Sequence, residues 1–181
     1  MNQKEKKFIA VIGNRNAGKS TIIVSLTGCP NRSYRGMVRG ILNNEEKSIY
    51  VIASSPQEQR LDKDGDGLES ERKAFQSILT QIRQNSSCIG LVMAIQPIKK
   101  PTKRLSLEAI VKEVQKTKTF EPYLFVLQPD RNNSLESQQI ETEINRRLRD
   151  TGIVLDAQGL DGRRFAFLNA RYINQLSQLF I

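Results

Sequence analysis

The chain has 181 residues, with 28 Lys or Arg against 19 Asp or Glu, 38% hydrophobic residues, two cysteines and no histidine. That length predicts one domain spanning 1–181 with a sizeable core, and the absence of histidine excludes His-based acid–base catalysis. Cys29 and Cys88 lack metal-ligand spacing for zinc, and the longest apolar runs, "FIAVI" and "IGLVMAI", are too short to cross a bilayer.

Lys7–Ile12 reads as a short buried strand closed by Gly13. Lys19–Thr27 reads as a helix that Gly28-Cys29-Pro30 stops. Val38–Leu42 and Ser48–Ala53 are strand-like runs joined by "NNEEK", a connection so short that they must pair antiparallel. A polar loop, "SSPQEQRLDKDGDG", leads to a helix over Glu69–Gln84 whose Phe75, Ile78, Leu79 and Ile82 share one face. Cys88–Ile95 is a continuous apolar run, the pattern of a strand buried on both faces. A helix over Leu105–Lys118, a strand over Pro122–Leu127, a helix over Ser134–Asp150, a strand over Arg163–Leu168 and a last helix over Ala170–Phe180 complete the order. Strands and helices alternate, so the fold class is α/β with a mostly parallel sheet of about six strands and one antiparallel hairpin strand.

The stretch "GNRNAGKS" fits G-x-x-x-x-G-K-S with Gly13, Gly18, Lys19 and Ser20. It follows a predicted strand and opens a predicted helix, which is where a phosphate cradle must lie. Backbone N–H groups from Asn14, Arg15, Asn16 and Ala17 through Thr21, with the helix N-terminus, stabilise phosphate charge. Lys19 reaches the β- and γ-phosphates, and Ser20 is a Mg²⁺ ligand. The expected cofactors are therefore Mg²⁺ and a nucleoside triphosphate.

That motif, followed by helix, variable loop, hairpin and alternating helices and strands, resembles the Ras-like branch of P-loop GTPases over nearly the whole chain. The resemblance implies a three-layer P-loop NTPase fold with Ras-like order, and GTP/GDP as ligand with ATP as the alternative. It implies a switch in which the hairpin strand ends in D-x-x-G-Q/E. Here "ASSPQE" puts Ala53 at the metal-supporting aspartate, Pro56 at the γ-phosphate-sensing glycine and Gln57 at the water-orienting position. Pro56 has no N–H to donate, so hydrolysis is expected to be slow or degenerate; Ser54, Ser55 or Glu58 is the substitute metal support. Asp130 of "LQPD" falls at the guanine-binding aspartate. "NAR", Asn169-Ala170-Arg171, matches the S-A-K position, where Asn169 would also suit an N-cap. Arg35, or Arg32, is the candidate arginine finger in cis, and Lys19, Gln57 and Arg35 form the candidate catalytic set.

Two other segments stand out. "DKDGDGLESE" imitates a calcium loop through Asp62, Asp64, Asp66 and Gly67, but Lys73 occupies the position of the bidentate glutamate, so it reads as an acidic loop instead. Net charge of +9 points to an anionic partner or simply to a soluble basic surface. "IKKPTKR", with Lys99, Lys100, Lys103 and Arg104, is the candidate nucleic-acid contact and supports an alternative reading as a P-loop kinase or ATP-binding protein working on nucleic acid. A protein effector is the other partner class expected of a switch. The arginines 146, 147 and 149 have a structural reason near a helix C-terminus. Without an evident leader, a reducing cytoplasmic location is the expectation.

Overall fold

The computed structural model describes residues 5–62, 65, 67–97, 103–130 and 139–180. Its elements run β1 Lys6–Ile12, α1 Lys19–Thr27, β2 Arg35–Leu42, β3 Glu45–Ile52, α2 Leu68–Gln84, β4 Cys88–Ile95, α3 Leu107–Lys116, β5 Phe120–Leu127, α4 Ile140–Asp150, β6 Gln158–Leu160 and α5 Ala166–Ser177. The sheet order is β2-β3-β4-β1-β5-β6. β2 is antiparallel to β3, and the other neighbours are parallel.

The alternation of β1 explains the layers. Phe8, Ala10 and Ile12 point to one face and pack with α2, α3 and α4 through residues such as Phe75, Ile110, Val111 and Ile144. Ile9 and Val11 point to the other face and pack with α1 and α5 through Ile22, Ile23 and Ile173. Residues 8 to 12 are fully buried, as a strand covered on both sides requires. The fold is thus a three-layer α/β P-loop architecture, with the mixed sheet and single hairpin strand that the sequence predicts.

β3 starts three residues earlier than expected because the turn is only Asn43-Asn44, and β2 is longer at its far end, where Arg35, Gly36 and Met37 pair with Ile52, Val51 and Tyr50. Both turn residues have positive φ, 52° and 63°, the conformation of a type I′ turn, which asparagine tolerates. Glu45, Glu46 and Lys47, expected in the loop, instead pair with Leu42, Ile41 and Gly40.

The strand expected over Arg163–Leu168 is corrected by the structure. The strand is Gln158–Leu160, paired with Phe125–Leu127 of β5, and Ala166 already begins α5. The apolar run at Phe165–Leu168 imitates a strand, but Phe165, Phe167 and Leu168 are exposed.

β1 lies at the topological switch, between β4 on one side and β5 on the other. The C-terminal ends of these strands flank the place where an open α/β sheet binds ligands, and the G-x-x-x-x-G-K-S loop leaves β1 there.

Candidate functional site: the loop after β1 and the cleft above it

The loop is anchored at both ends. Gly13 N–H donates to the Ile95 carbonyl of β4 at 3.1 Å, so the loop starts against the central strands. A Cβ at Gly13 would stand 3.0 Å from the Ala17 Cβ and 3.4 Å from the Leu127 Cβ, a spacing that forces the neighbours apart. Asn16 has φ 63° and Gly18 has φ 101°; at Gly18 a β-carbon would strain the backbone. Gly18 is the N-cap of α1, and its carbonyl accepts the N–H groups of Thr21 and Ile22. The helix N-terminus therefore sits at the end of the loop, where an anion is favoured.

Lys19 is 3% exposed. Its Nζ donates to the Asn14 carbonyl at 2.7 Å and lies 3.9 Å from Glu58 Oε1. Burial pulls the ammonium pKa below its ordinary value, and the Glu58 carboxylate opposes that shift. A buried ammonium with little compensating charge favours an added anion.

Around it lies a cleft of about 730 Å³. Asn16, Gly18, Lys19, Ser20 and Thr21 form its floor, Arg32 and Ser33 come from the segment after α1, and Ser54 and Glu58 come from the segment after β3. Its donor set is hard oxygen, hydroxyls and one carboxylate, beside a lysine. Such groups fit Mg²⁺ bound jointly with phosphate, since the ion takes one or two carboxylates plus phosphate oxygens and water. The sequence motif and the geometry agree on this floor. Arg15 is exposed and does not line the cleft.

Three other expected residues are placed elsewhere. Gln57 Nε2 donates to the Leu105 carbonyl at 2.5 Å, and its Oε1 accepts from Gln96 N–H at 3.1 Å. The amide thus braces the end of β4 against the start of α3, and Gln57 does not line the cleft. The reason is lateral: β4 separates β3 from β1, so the segment after β3 crosses the β4 end before reaching the cradle. Arg35 Nη1 donates to the carbonyls of Arg60 and Leu61 at 3.0 and 2.7 Å. It fastens that same segment, and Arg32 is the arginine at the cleft. Ser55 is fully buried with its hydroxyl unpartnered, which leaves Ser54 and Glu58 as the cleft-facing groups of "SSPQE".

The base-recognition candidates divide. Asp130 is 3% exposed and follows a cis Gln128–Pro129 bond at the end of β5. "NAR" does not lie between strand and helix. Asn169 and Ala170 are buried within α5, so the N-cap role is corrected, and Arg171 is exposed. Asn169 Nδ2 instead donates to the Asp161 carbonyl at 2.9 Å, holding the loop between β6 and α5 from inside the helix. That loop is residues 161–165, and the strand expected over Arg163–Leu168 overlaps its second half. A signal was present: Asp161-Gly162 is turn chemistry.

Of the basic candidates, Arg104 Nη1 pairs with the buried Glu71 at 3.0 Å, while Lys103 is exposed. Lys99 and Lys100 lie outside the described residues, as do Asp64 and Asp66 of the acidic loop. Asp62 accepts a hydrogen bond from Ser70, and Lys73 is an exposed residue of α2. No described helix is long and apolar enough to cross a membrane.

The sequence matches no protein family and no curated protein. Among solved structures, the chain is similar to the crystal structure of APE1195, at 12% identity over 98% of each chain with a TM-score of 0.53. It also aligns with the FeoB G-domain of Methanococcus jannaschii, at 18% identity over 96% of this chain and 97% of the other, with a TM-score of 0.45. At these identities the likeness to APE1195 speaks to the fold alone.

Proposed function

We propose that the chain binds a nucleoside triphosphate with Mg²⁺ in the 730 Å³ cleft, with GTP as the preferred nucleotide and a conformational switch as the output. The observation that carries this reading is Lys19, a buried ammonium at the mouth of a glycine-anchored loop, met among the described residues by the Asn14 carbonyl and a carboxylate 3.9 Å away. The bottom of the loop, with Ser20 and Thr21, would hold phosphate and metal. Mg²⁺, when bound, would neutralise phosphate charge and orient the β- and γ-oxygens. Arg32 would meet phosphate from the opposite wall, and Ser54 or Glu58 would supply the oxygen that Ala53 cannot.

Turnover is proposed to be slow. Hydrolysis needs placed charges and an oriented water. Ala53 and Pro56 supply neither, and the Gln57 amide is committed to Gln96 and Leu105. Preference for guanine rests on the resemblance in element order, since "NAR" lies inside α5 and the buried Asp130 does not line the cleft; ATP is the second reading.

Calorimetry with GTP, GDP, ATP and ADP, with and without Mg²⁺, tests the reading against Lys19→Ala. Expected are binding by the wild type and a loss of about ten-fold or more in the variant, one charge-assisted contact being worth about 1.5–3 kcal/mol. Absence of binding to all four nucleotides would sink the proposal. Tighter binding of ATP than GTP would remove the guanine preference and favour a kinase-like or ATP-binding protein.

A further inference from the structure

The outward face of α5 is apolar where the inward face already fills the core. Phe165 is 74% exposed, Leu168 42%, Tyr172 44% and Leu176 37%. They recur at steps of three or four, so they form one line along the helix. Phe167, 61% exposed, stacks on Phe165 with ring centroids 5.9 Å apart. Burial of Ala170, Ile173 and Ser177 on the opposite side fixes the helix orientation, so the line cannot rotate inward.

From residue 162 onward the charges beside it have one sign. Arg163, Arg164 and Arg171 are exposed, and residues 162–181 contain no Asp or Glu. Asp161 is the nearest acid in sequence, and Arg163 is paired with it at 2.9 Å. A convex helix face with aromatic residues at one end, leucines along it and arginines beside it is the arrangement of a segment that lies in a bilayer interface. Anionic headgroups attract the arginines, and the aromatic rings sit at headgroup level.

We propose that this face of α5 docks the protein reversibly on an anionic lipid surface. The aliphatic members decide between lipid and nucleic acid. Leu168 and Leu176 extend the line but offer no ring for base stacking, which a single-stranded nucleic-acid platform uses at successive positions. The uniform sign decides between lipid and a second copy. A self-complementary face would bring its own arginines together across the two-fold axis, with only Asp161, already paired with Arg163, among the acids of this segment to meet them.

The test is co-sedimentation of the full chain with vesicles of phosphatidylcholine alone or mixed with phosphatidylserine, at low and at 0.5 M salt. Expected are binding to the mixed vesicles about ten-fold or more above neutral ones and weakening in salt. Phe165→Ser with Tyr172→Ser removes apolar area, and Arg164→Glu with Arg171→Glu reverses charge. Each pair is expected to abolish sedimentation while leaving the far-UV spectrum and the unfolding midpoint near wild type, because all four side chains are exposed. No binding to either vesicle overturns the proposal, as does binding that survives both pairs. Loss of a dimer in light scattering with the same substitutions, without vesicle binding, assigns the face to a second copy instead. Vesicle binding displaced by single-stranded RNA at equal low salt, with Phe165 and Tyr172 required for RNA binding, assigns it to nucleic acid and overturns the lipid proposal.

Discussion

Glu58 Oε1 stands 3.9 Å from Lys19 Nζ, a carboxylate at the buried cation of the loop after β1. The glutamate side chain is 27% exposed and the lysine 3%, so the pair is only partly screened. In this position the carboxylate occupies some of the electrostatic role of a phosphate. In the proposed reading, a nucleotide arriving at Lys19 would either displace it or accept a like charge beside the phosphates. Glu58→Gln is therefore predicted to tighten nucleotide binding without Mg²⁺ by about three- to ten-fold, the range expected for one partly screened charge. Isothermal titration with EDTA present measures it. Weakening confined to Mg²⁺-containing buffer would choose Glu58 over Ser54 as the metal support.

Gln57 is predicted to matter for stability and not for turnover. Both ends of its amide are used, at Leu105 and Gln96, so Gln57→Ala leaves a backbone donor and an acceptor without their partner. A cost of about 1–3 kcal/mol in urea unfolding is expected. The rate of nucleotide hydrolysis is expected to stay within two-fold of wild type. A fall of a hundred-fold in rate at unchanged stability would restore the water-orienting role.

These two residues show what the sequence could and could not specify. The cradle was legible because its chemistry is local: glycines at fixed offsets, a lysine and a serine between a buried strand and a helix. β4 was legible to its ends because it is buried on both faces and carries an unbroken apolar run. The lateral position of β4 is not written in chain order, yet it decides that Gln57 meets Gln96 and not the cleft. β6 was missed because its three residues, Gln158–Leu160, owe their conformation to pairing with β5 and carry no strand pattern of their own. Arg35 and Arg32 look equivalent in "NRSYRG", and only the path of the backbone sends one to a carbonyl pair and the other to the cleft.

Arg104 is predicted to act in folding and not in nucleic-acid contact. Glu71 is 2% exposed; its Oε2 accepts from Leu61 N–H at 3.2 Å and its Oε1 pairs with Arg104 at 3.0 Å. The carboxylate thus ties the first turn of α2 to the segments on either side. Arg104→Ala leaves it buried without its cation, at a cost of about 1–3 kcal/mol. Glu71→Leu combined with Arg104→Met is expected to recover most of that loss, because no charge is then stranded. Urea unfolding of the three variants reads the effect, and a salt titration of RNA binding should give the same slope for Arg104→Ala as for wild type.

Acid sensitivity follows from three carboxylates whose pKa values are lowered in the fold. For Glu113, burial raises the value, but hydrogen bonds from Gln76 and Lys116 and the charges of Lys116 and Arg72 outweigh it. For Glu121 the hydrogen bond from Lys7 is the largest cause, and for Asp161 the one from Arg163. A depressed folded-state pKa means the unfolded chain binds more protons, so the contribution is complete above the ordinary carboxylate value and is lost as pH falls through the folded one. Melting temperature is predicted to fall steadily below about pH 5. Glu113→Gln is expected to start about 2–4 °C lower at pH 7, equivalent to about 1 kcal/mol, and to decline less steeply. A parallel decline would place the sensitivity in other groups.

Asn169 offers a way to separate loop support from base recognition. Its side chain is 2% exposed and donates to the Asp161 carbonyl at 2.9 Å from within α5. It holds a loop that leaves the sheet on the same rim as the phosphate cradle, and residues 161–165 are the segment that stands between β6 and α5. Asn169→Ala removes that donor and leaves the carbonyl with the Arg164 N–H at 3.2 Å, so a loss of about 0.5–1.5 kcal/mol in stability is expected. If the residue acts only through the loop, affinity for GTP and ATP should change by the same factor, because no contact to the base itself is removed. The ratio of the two dissociation constants, measured in one buffer with Mg²⁺, is the deciding quantity. A selective loss of GTP affinity would place the Asn169 side chain, or a backbone group it positions, against guanine.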